Sequence, residues 1–468
     1  MKKIAIFCIA LLIFVSFHPV SAAEDNVNFS VTEGCNTLDA LVPMLGTQKL
    51  VSNTQAVLLY ETTTDTLMHA YNADARISPA SLVKILTALI AIEQGRLEDV
   101  ATVRSEVLSA LPYDAMVVGL KADEVLTVED LLYCMMVGSG NDAAAVLADH
   151  IMGSQQEFVD EMNAYADRIG CTNTNFTNVH GLHSQDQYTS ARDIGKILAL
   201  ALKNETFCKI FSAKTYTVPE TNKHASRSLL TQNYLMNNAD TDIYFDNRVT
   251  GSRTAAANDR TRHVASVAEV NGMKMVCIVM GAESQYEEDG YSIKVFGGYE
   301  ETTKLLNVAF KGFKPAQILH PEQIVKQVNV LNGSSYLSVG ALDCAFSVIP
   351  SEMESENLIY KYVQMQDLSA PIVRGEKIGV LQIWCGTVCI GQTDLISMNN
   401  VTVTGAEFGE NILPTEKSNL TPIVLIVFAV VISTVMLLIA AIFILRFARI
   451  HRAKVRSRNN SRNRIRSR

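Results

Sequence analysis

The sequence predicts an α+β protein, in which a domain of helices beside an antiparallel sheet precedes a small all-β domain and a C-terminal transmembrane helix. Three observations predict it. Between residues 36 and 312, a strand pattern comes first, helical patterns follow, and further strand patterns close the segment. Over residues 315–405, short alternating segments are broken by Gly, Pro and Asn. Residues 423–445 contain no charged side chain.

The N-terminal residues 1–22 predict a secretory signal peptide. Lys2 and Lys3 precede an apolar segment, and Val20-Ser21-Ala22 is typical of a small-residue cleavage site. A retained membrane anchor is the alternative. On either interpretation, this segment takes no part in the fold of the exported body.

Hairpins and helices make up the predicted α+β domain. Residues 56–72 read as a hairpin around a polar Thr/Asp turn, and residues 262–282 as a second hairpin around Asn271-Gly272. Helical patterns lie between them, at residues 81–95, 126–137, 141–153 and 155–170. Thr127 and Asp130 resemble a helix cap. The order of these patterns places helices beside an antiparallel sheet.

Three C-terminal segments follow the β-domain: a polar linker at 406–421, a transmembrane helix at 422–445 and a basic tail at 446–468. The 23 residues of the charge-free run would span about 34 Å as a helix, which exceeds a bilayer core of about 30 Å. A buried soluble helix is the alternative. The tail has ten Lys and Arg and no acid, so the positive-inside rule places it in the cytoplasm. We therefore expect a single-pass protein of the cell membrane with an extracytoplasmic body.

The charge is distributed unevenly along the chain. The whole chain has a formal charge of −8. Without the two signal lysines and the ten tail cations, the body keeps 28 Lys and Arg against 48 Asp and Glu, a formal charge of −20. An acidic body is a poor candidate for nucleic-acid binding. The tail is placed to contact anionic lipid headgroups, with nucleic-acid binding as a weaker alternative.

Eight cysteines remain after the signal peptide, and an exported protein can form disulfides. Cys134 and Cys277 lie in apolar segments and are predicted to be buried thiols. Cys385 and Cys389 are candidates for a disulfide, although spacing alone does not determine the pairing. The histidines and cysteines show no spacing typical of metal ligands, so no metal site is predicted.

The stretch ISPASLVKILTAL contains the first candidate site. Ser81 and Lys84 are three residues apart, so they share one face of a helix that starts after Pro79. The helix dipole favours an alkoxide near its N-terminus, and burial of a lysine lowers its pKa. Ser81 is therefore a candidate nucleophile and Lys84 its base. The alternative is a capping serine with a lysine that extends to solvent, which this motif alone would favour.

A second candidate site is Ser139-Gly140-Asn141, between two apolar helical patterns. Alternate residues of a tight connection can point the same way, which would place a hydroxyl and an amide in one cleft. Such a pair can relay a proton and hold a substrate amide. An ordinary helix–helix turn, with Asp142 as a cap, is the alternative.

Enzymes that combine S-x-x-K with S-x-N carry a third motif, K-T-G, on a strand. This chain has no K-T-G. Val249-Thr250-Gly251 keeps the threonine and glycine without the cation. Arg253-Thr254-Ala255 keeps the cation and threonine without the glycine.

Together these segments resemble the serine-type D-alanyl-D-alanine carboxypeptidases, the low-molecular-mass penicillin-binding proteins. The resemblance rests on SPASLVKILTALIAIE, SGNDAAAVLADHIMGSQQEFVDEMN, TNFTNVHGL and YTSARD. It implies a penicillin-binding/β-lactamase-like transpeptidase domain, the serine carboxypeptidase catalytic domain, over 36–312. LSAPIVRGEKIGVLQI, residues 368–383, resembles the C-terminal β-domain of the same family.

The resemblance favours the Arg253 register, because the family motif falls there when counted back from the Asn271-Gly272 turn. Arginine keeps the positive charge but has a bidentate geometry that lysine lacks. The methyl group of Ala255 is expected to narrow the cleft. Gln187 occupies the position where the family often has a histidine.

The resemblance implies that Ser81 attacks the carbonyl between the two terminal D-alanines of a peptidoglycan stem peptide, while Lys84 accepts its proton. Ser139 would relay a proton to the departing D-alanine, and Asn141 would hold the substrate backbone. No cofactor is required, and β-lactams would acylate Ser81.

The same resemblance assigns the substrate's terminal carboxylate to Arg253 and Thr254. The backbone N–H groups of Ser81 and Ala256 would form the oxyanion hole. Two alternatives remain open. One is a catalytically impaired penicillin-binding-like protein that binds wall peptides or partners, and the other is a β-lactamase.

Overall fold

The computed structural model describes residues 53–404, apart from 240, 259, 290–291, 321, 342–344 and 365–366. The predicted signal peptide, linker, transmembrane helix and basic tail lie outside the described residues. Within residues 53–404, no helix has the length and apolar character that crossing a bilayer requires.

The helices and strands have the following bounds. The α-helices are α1 (Val83–Gln94), α2 (Ser105–Ser109), α3 (Val128–Met136), α4 (Asn141–Met152), α5 (Gln155–Arg168), α6 (Ala191–Ala201), α7 (Glu205–Phe211) and α8 (Gly297–Gly312). The strands of the first part are β1 (Ala56–Glu61), β2 (Thr66–Tyr71), β3 (Val100–Thr102), β4 (Val125–Thr127), β5 (Thr215–Val218), β6 (Arg227–Leu230), β7 (Val249–Ala256), β8 (Thr261–Val270), β9 (Met273–Glu283), β10 (Gln285–Tyr286) and β11 (Ile293–Val295). Those of the second part are β12 (Phe313–Leu319), β13 (Ile324–Val328), β14 (Leu337–Gly340), β15 (Ala345–Pro350), β16 (Ile359–Gln364), β17 (Lys377–Cys385) and β18 (Val388–Ser397).

An antiparallel sheet with the strand order β2-β1-β9-β8-β7 forms the frame of the first part. Both predicted hairpins are present in it. Asn271 and Gly272 join β8 to β9 with φ angles of 51° and 82°, the left-handed values that a two-residue hairpin turn requires. Strand β7 lies at one edge of the sheet, so it pairs with a strand on one side only among the described residues.

Helix α1 is buried on every face, as its continuous apolar pattern predicts. All of its residues from Val83 to Ala91 are buried, Lys84 among them. It packs against α3, α4 and α6. Thr127 and Asp130 form a complete capping box at the start of α3, which confirms the predicted cap.

The second part is an all-β domain, as predicted. It contains an antiparallel sheet of order β13-β14-β18-β17-β16 and the separate pair β12-β15. Leu337, Leu381 and Leu395 are buried in its core. The α+β architecture followed by a β-domain is therefore confirmed.

The structure distinguishes free thiols from a disulfide-bonded cysteine, which the sequence could not do. Cys134 and Cys277 are buried free thiols, as predicted. Cys389 is disulfide-bonded, whereas Cys385 is a free thiol, so these two do not pair with each other. Cys389 lies opposite Trp384 in the register of β17 and β18, and Cys385 follows Trp384. Successive residues of a strand point to opposite faces, so the two sulfur atoms lie on opposite sides of the sheet.

Candidate active site

A pocket of about 360 Å³ opens between β7, the start of α1 and the connection from α3 to α4. Ligand pockets begin at about this size. Six of the seven sequence-predicted site residues line it, namely Ser81, Ser139, Asn141, Arg253, Thr254 and Ala256. The seventh, Lys84, is 0% exposed and bonds to two of the lining residues. The structure therefore brings together residues from three separate parts of the chain.

Ser81 lies in a 3₁₀ turn, Ala80–Leu82, that immediately precedes α1. Ala80 has a φ of 47°, which is strained for a residue with a Cβ, and such strain concentrates at functional sites. Ser78, just before this turn, accepts a hydrogen bond from His263 Nε2 at 2.9 Å, while His263 Nδ1 accepts one from Gly281 N. Burial lowers the pKa of His263 to about 4, so the ring is neutral and fixed in this tautomer.

The amine of Lys84 is enclosed by polar acceptors. Its Nζ donates to the Ser139 carbonyl oxygen at 2.8 Å and to Asn141 Oδ1 at 2.6 Å. Burial lowers its pKa well below the usual value, and the nearby charge of Arg253 lowers it further, whereas Asp142 acts in the opposite direction. A neutral amine has two N–H bonds and one lone pair. In that form of Lys84, the two acceptors would use both hydrogens and leave the lone pair.

Ser139 holds the connection between α3 and α4 in a left-handed conformation, with a φ of 59°. This conformation directs its carbonyl oxygen to Lys84 and its Oγ to Arg253. The next acidic residue, Asp142, is buried and accepts hydrogen bonds from the backbone N–H groups of Val118, Gly119 and Leu120. It therefore fixes a loop beside the pocket. The N-cap of α4 is Gly140, so the interpretation of Asp142 as the cap is wrong.

Arg253 is a buried residue of β7 that connects the three walls of the site. Its Nε donates to Ser81 O at 3.2 Å, its Nη1 to Met135 O and Met136 O at 3.2 and 2.8 Å, and its Nη2 to Ser139 Oγ at 2.9 Å. Burial lowers its pKa to about 10, which leaves the guanidinium charged at neutral pH. Four of the five N–H groups are thus used within the protein. Arg253 therefore lacks the pair of unused N–H groups that the bidentate contact expected from the sequence requires.

The residues of the other candidate motif, Val249-Thr250-Gly251, do not line the pocket. A Cβ at Gly251 would lie 2.5 Å from the ring of Phe211, so this glycine permits β7 to pack against α7. Ala255, whose methyl group replaces the expected glycine, is buried. This methyl group does not prevent Arg253 Nε from donating to Ser81 O.

The loop at 177–187 crosses the serine turn. Gly181 has a φ of 87°, and a Cβ there would lie 2.0 Å from Ala80 O, so only glycine permits this approach. Gln187 is buried, accepts hydrogen bonds from Thr177 N and Asn178 N, and donates to Leu182 O. It therefore holds the loop by hydrogen bonds to the backbone.

Sequence reasoning missed several residues that support the site: Ala80, Asp142, His180, Gly181, Asn233 and His263. Burial is the main cause that lowers the pKa of His180 to about 4, and a proton on Lys84 would lower it further. Asn233 donates to Ser252 Oγ at 2.8 Å at the pocket wall. Ala80, Asp142 and the HGL segment at 180–182 lie in the segments that carry the family resemblance, but the sequence assigned them no supporting role in the site.

A nucleophile candidate, a buried amine and a strand-borne cation thus meet in one pocket. Residues 45–284 match the family described as D-alanyl-D-alanine carboxypeptidase. The chain belongs to the D-alanyl-D-alanine carboxypeptidase family. Residues 313–403 match the family described as penicillin-binding protein 5, C-terminal domain. The predicted resemblance is confirmed.

The chain is also similar to individual members of the carboxypeptidase family. The D-alanyl-D-alanine carboxypeptidase DacA of Haemophilus influenzae is 30% identical over 401 residues, which are 84% of this chain and 92% of the relative. DacF of Bacillus subtilis is 27% identical over 340 residues, 72% of this chain and 82% of the relative. The crystal structure of penicillin-binding protein 5 from Haemophilus influenzae aligns with a TM-score of 0.63 and 28% identity, over 76% of this chain and all of that one.

Proposed function

We propose that the chain is a serine hydrolase that removes the C-terminal D-alanine from peptidoglycan stem peptides through an acyl-enzyme. The observation that carries this proposal is the environment of Lys84. Its buried amine donates to Ser139 O and Asn141 Oδ1, which leaves a lone pair in the same site as Ser81. An amine in this state is suited to take a proton from a hydroxyl.

In the acylation step, the Lys84 lone pair takes the proton of the Ser81 hydroxyl, and Oγ attacks the carbonyl carbon between the terminal D-alanines. The negative charge that develops on the carbonyl oxygen is stabilised by the N–H groups of Ser81 and Ala256. The proton then passes through the Ser139 hydroxyl, which Arg253 holds, to the nitrogen of the departing D-alanine. The C–N bond breaks and an ester on Ser81 remains.

Water completes the reaction by attacking this ester. Lys84, neutral again after proton transfer, is the base that activates the water. Asn141 Oδ1 accepts from Lys84, and no described residue accepts from the amide NH₂ of Asn141, so this NH₂ can donate to the substrate backbone. The edge strand β7 provides further backbone groups for an extended peptide.

β-Lactams are expected to be trapped by the same serine, because they present a reactive carbonyl to Ser81. No described contact favours a β-lactamase or a catalytically impaired protein over a carboxypeptidase. Rapid turnover of nitrocefin would favour the former, and peptide binding without release of D-alanine the latter.

Release of D-alanine from a stem-peptide mimic tests the proposal. The full chain in detergent should release it, and Ser81→Ala should lose the release by at least about 1,000-fold, because the covalent route disappears. An unchanged rate in the folded Ser81→Ala variant would refute the assignment.

We also propose that the body is exported and anchored in the cell membrane by residues 422–445, with the tail at 446–468 in the cytoplasm. The charge-free run and the ten cations that follow it support this topology. An enzyme anchored by a membrane-spanning helix would act on peptidoglycan close to the membrane surface.

A further inference from the structure

We propose that Arg262, on strand β8, is the residue that binds the C-terminal carboxylate of the substrate, whereas Arg253 is a positioning residue. This inference rests on the proposed carboxypeptidase function. It replaces the sequence-based assignment of the carboxylate to Arg253 and Thr254.

The first argument concerns the donors of Arg253. A bidentate contact with a carboxylate needs two parallel N–H groups from one edge of the guanidinium. Arg253 uses Nε for Ser81 O and both hydrogens of Nη1 for Met135 O and Met136 O, and one hydrogen of Nη2 reaches Ser139 Oγ. A single N–H remains, so neither edge of this guanidinium is free.

The second argument concerns the hydroxyl of Thr254. Its Oγ1 donates to His263 O at 3.2 Å. A hydroxyl has one hydrogen, so in this rotamer Thr254 has none left for an anion. The two groups assigned from the sequence therefore offer one N–H between them.

Arg262 is a cation with uncommitted donors at the same pocket. It lines the pocket and is half-buried. In the antiparallel register it lies opposite Ala256, and Thr254 lies opposite Val264. Arg262 is thus the diagonal neighbour of Thr254 on the same face of the sheet. Its partner Ala256 carries only a methyl group, which leaves the long side chain room at the pocket.

The guanidinium of Arg262 is oriented without losing its donors. Its Cζ lies over the ring of Phe296, 5.3 Å from the ring centroid, a cation–π contact that holds the side chain without a hydrogen-bond acceptor. With the residues that the structure describes, Arg262 forms neither an ion pair nor a side-chain hydrogen bond. A planar cation held in this way matches the geometry of a carboxylate.

Comparing two substrates distinguishes a contact between Arg262 and the substrate carboxylate from a general effect of the substitution on the site. One is a stem-peptide mimic that ends in a free D-alanine carboxylate, and the other is its methyl ester. In the full chain, Arg262→Gln should lower kcat/KM for the free acid about 10- to 100-fold, the value of a charged hydrogen-bonded pair, and leave the ester nearly unchanged. Arg262→Lys should keep part of the preference.

Arg260→Gln is the matched control, because Arg260 is an exposed arginine two residues away and does not line the pocket. It should keep the acid-to-ester ratio of the wild type. An unchanged ratio in Arg262→Gln, or an equal loss for both substrates, would overturn the inference. Failure of the proposed function is seen separately, because the wild type would then release neither D-alanine from the free acid nor D-alanine methyl ester from the ester.

Discussion

At the scale of single residues, the central feature is a buried lysine whose surroundings disfavour its charged form. Desolvation and the Arg253 charge both lower the pKa of Lys84, and two acceptors hold its hydrogens. The order of the motifs along the chain was sufficient to predict that Ser81, Lys84 and Arg253 lie close together. It could not predict how the five N–H groups of Arg253 are used, since that depends on carbonyl oxygens at the end of α3.

The pH profile of Arg253 variants tests this electrostatic coupling. The proposed mechanism requires neutral Lys84, so kcat/KM should fall as the pH decreases through the pKa of Lys84 in the free enzyme. Arg253→Gln removes a cation that lowers this pKa, so the acid limb should move to higher pH. Arg253→Lys keeps the charge and should keep the limb close to its wild-type position. If the acid limbs of both variants coincide with that of the wild type, the charge of Arg253 does not affect the pKa of Lys84.

At the scale of elements, hairpins and helices were predictable where local rules dominate. The β8–β9 turn follows from Asn-Gly, and α1 from its long apolar run. The loop at 177–187 was not predictable, because its shape depends on contacts with distant segments. Gly181 fits against Ala80, a residue about 100 positions earlier in the chain, and Gln187 bonds to three backbone groups.

Gln187→Ala tests the stabilisation of this loop. It leaves two backbone N–H groups and one carbonyl oxygen without their present partner, so the free energy of unfolding should fall by about 2–4 kcal/mol. Urea denaturation measures the change. Gln185→Ala, at an exposed position of the same loop, should stay within about 0.5 kcal/mol of the wild type. Equal values for the two variants would mean that the Gln187 bonds contribute no net stability.

At the scale of the whole molecule, the sequence predicted an α+β part followed by a β part, and the structure confirms that order. Periodicity and turn residues carry this information locally. The disulfide of Cys389 was beyond such rules, because β17 and β18 place Cys385 on the opposite face. The topology across the membrane remains a prediction that rests on residues 422–468.

Cell fractionation tests the anchor. Full-length protein should stay in the membrane fraction through high salt and alkaline carbonate and be released by detergent, because a spanning helix is held by its apolar length. A variant that ends at residue 404 should enter the soluble exported fraction. A full-length protein that salt releases, or a truncated one that stays in the membrane, would contradict the proposed anchor.

The most direct test of the acyl-enzyme is the site of penicillin attachment. The full chain is incubated with penicillin G, its intact mass is measured, and the modified peptide is identified. The account predicts one added penicillin per chain, located on Ser81, and none in the Ser81→Ala variant. An adduct on another residue, or no adduct on a folded wild-type protein, would contradict it.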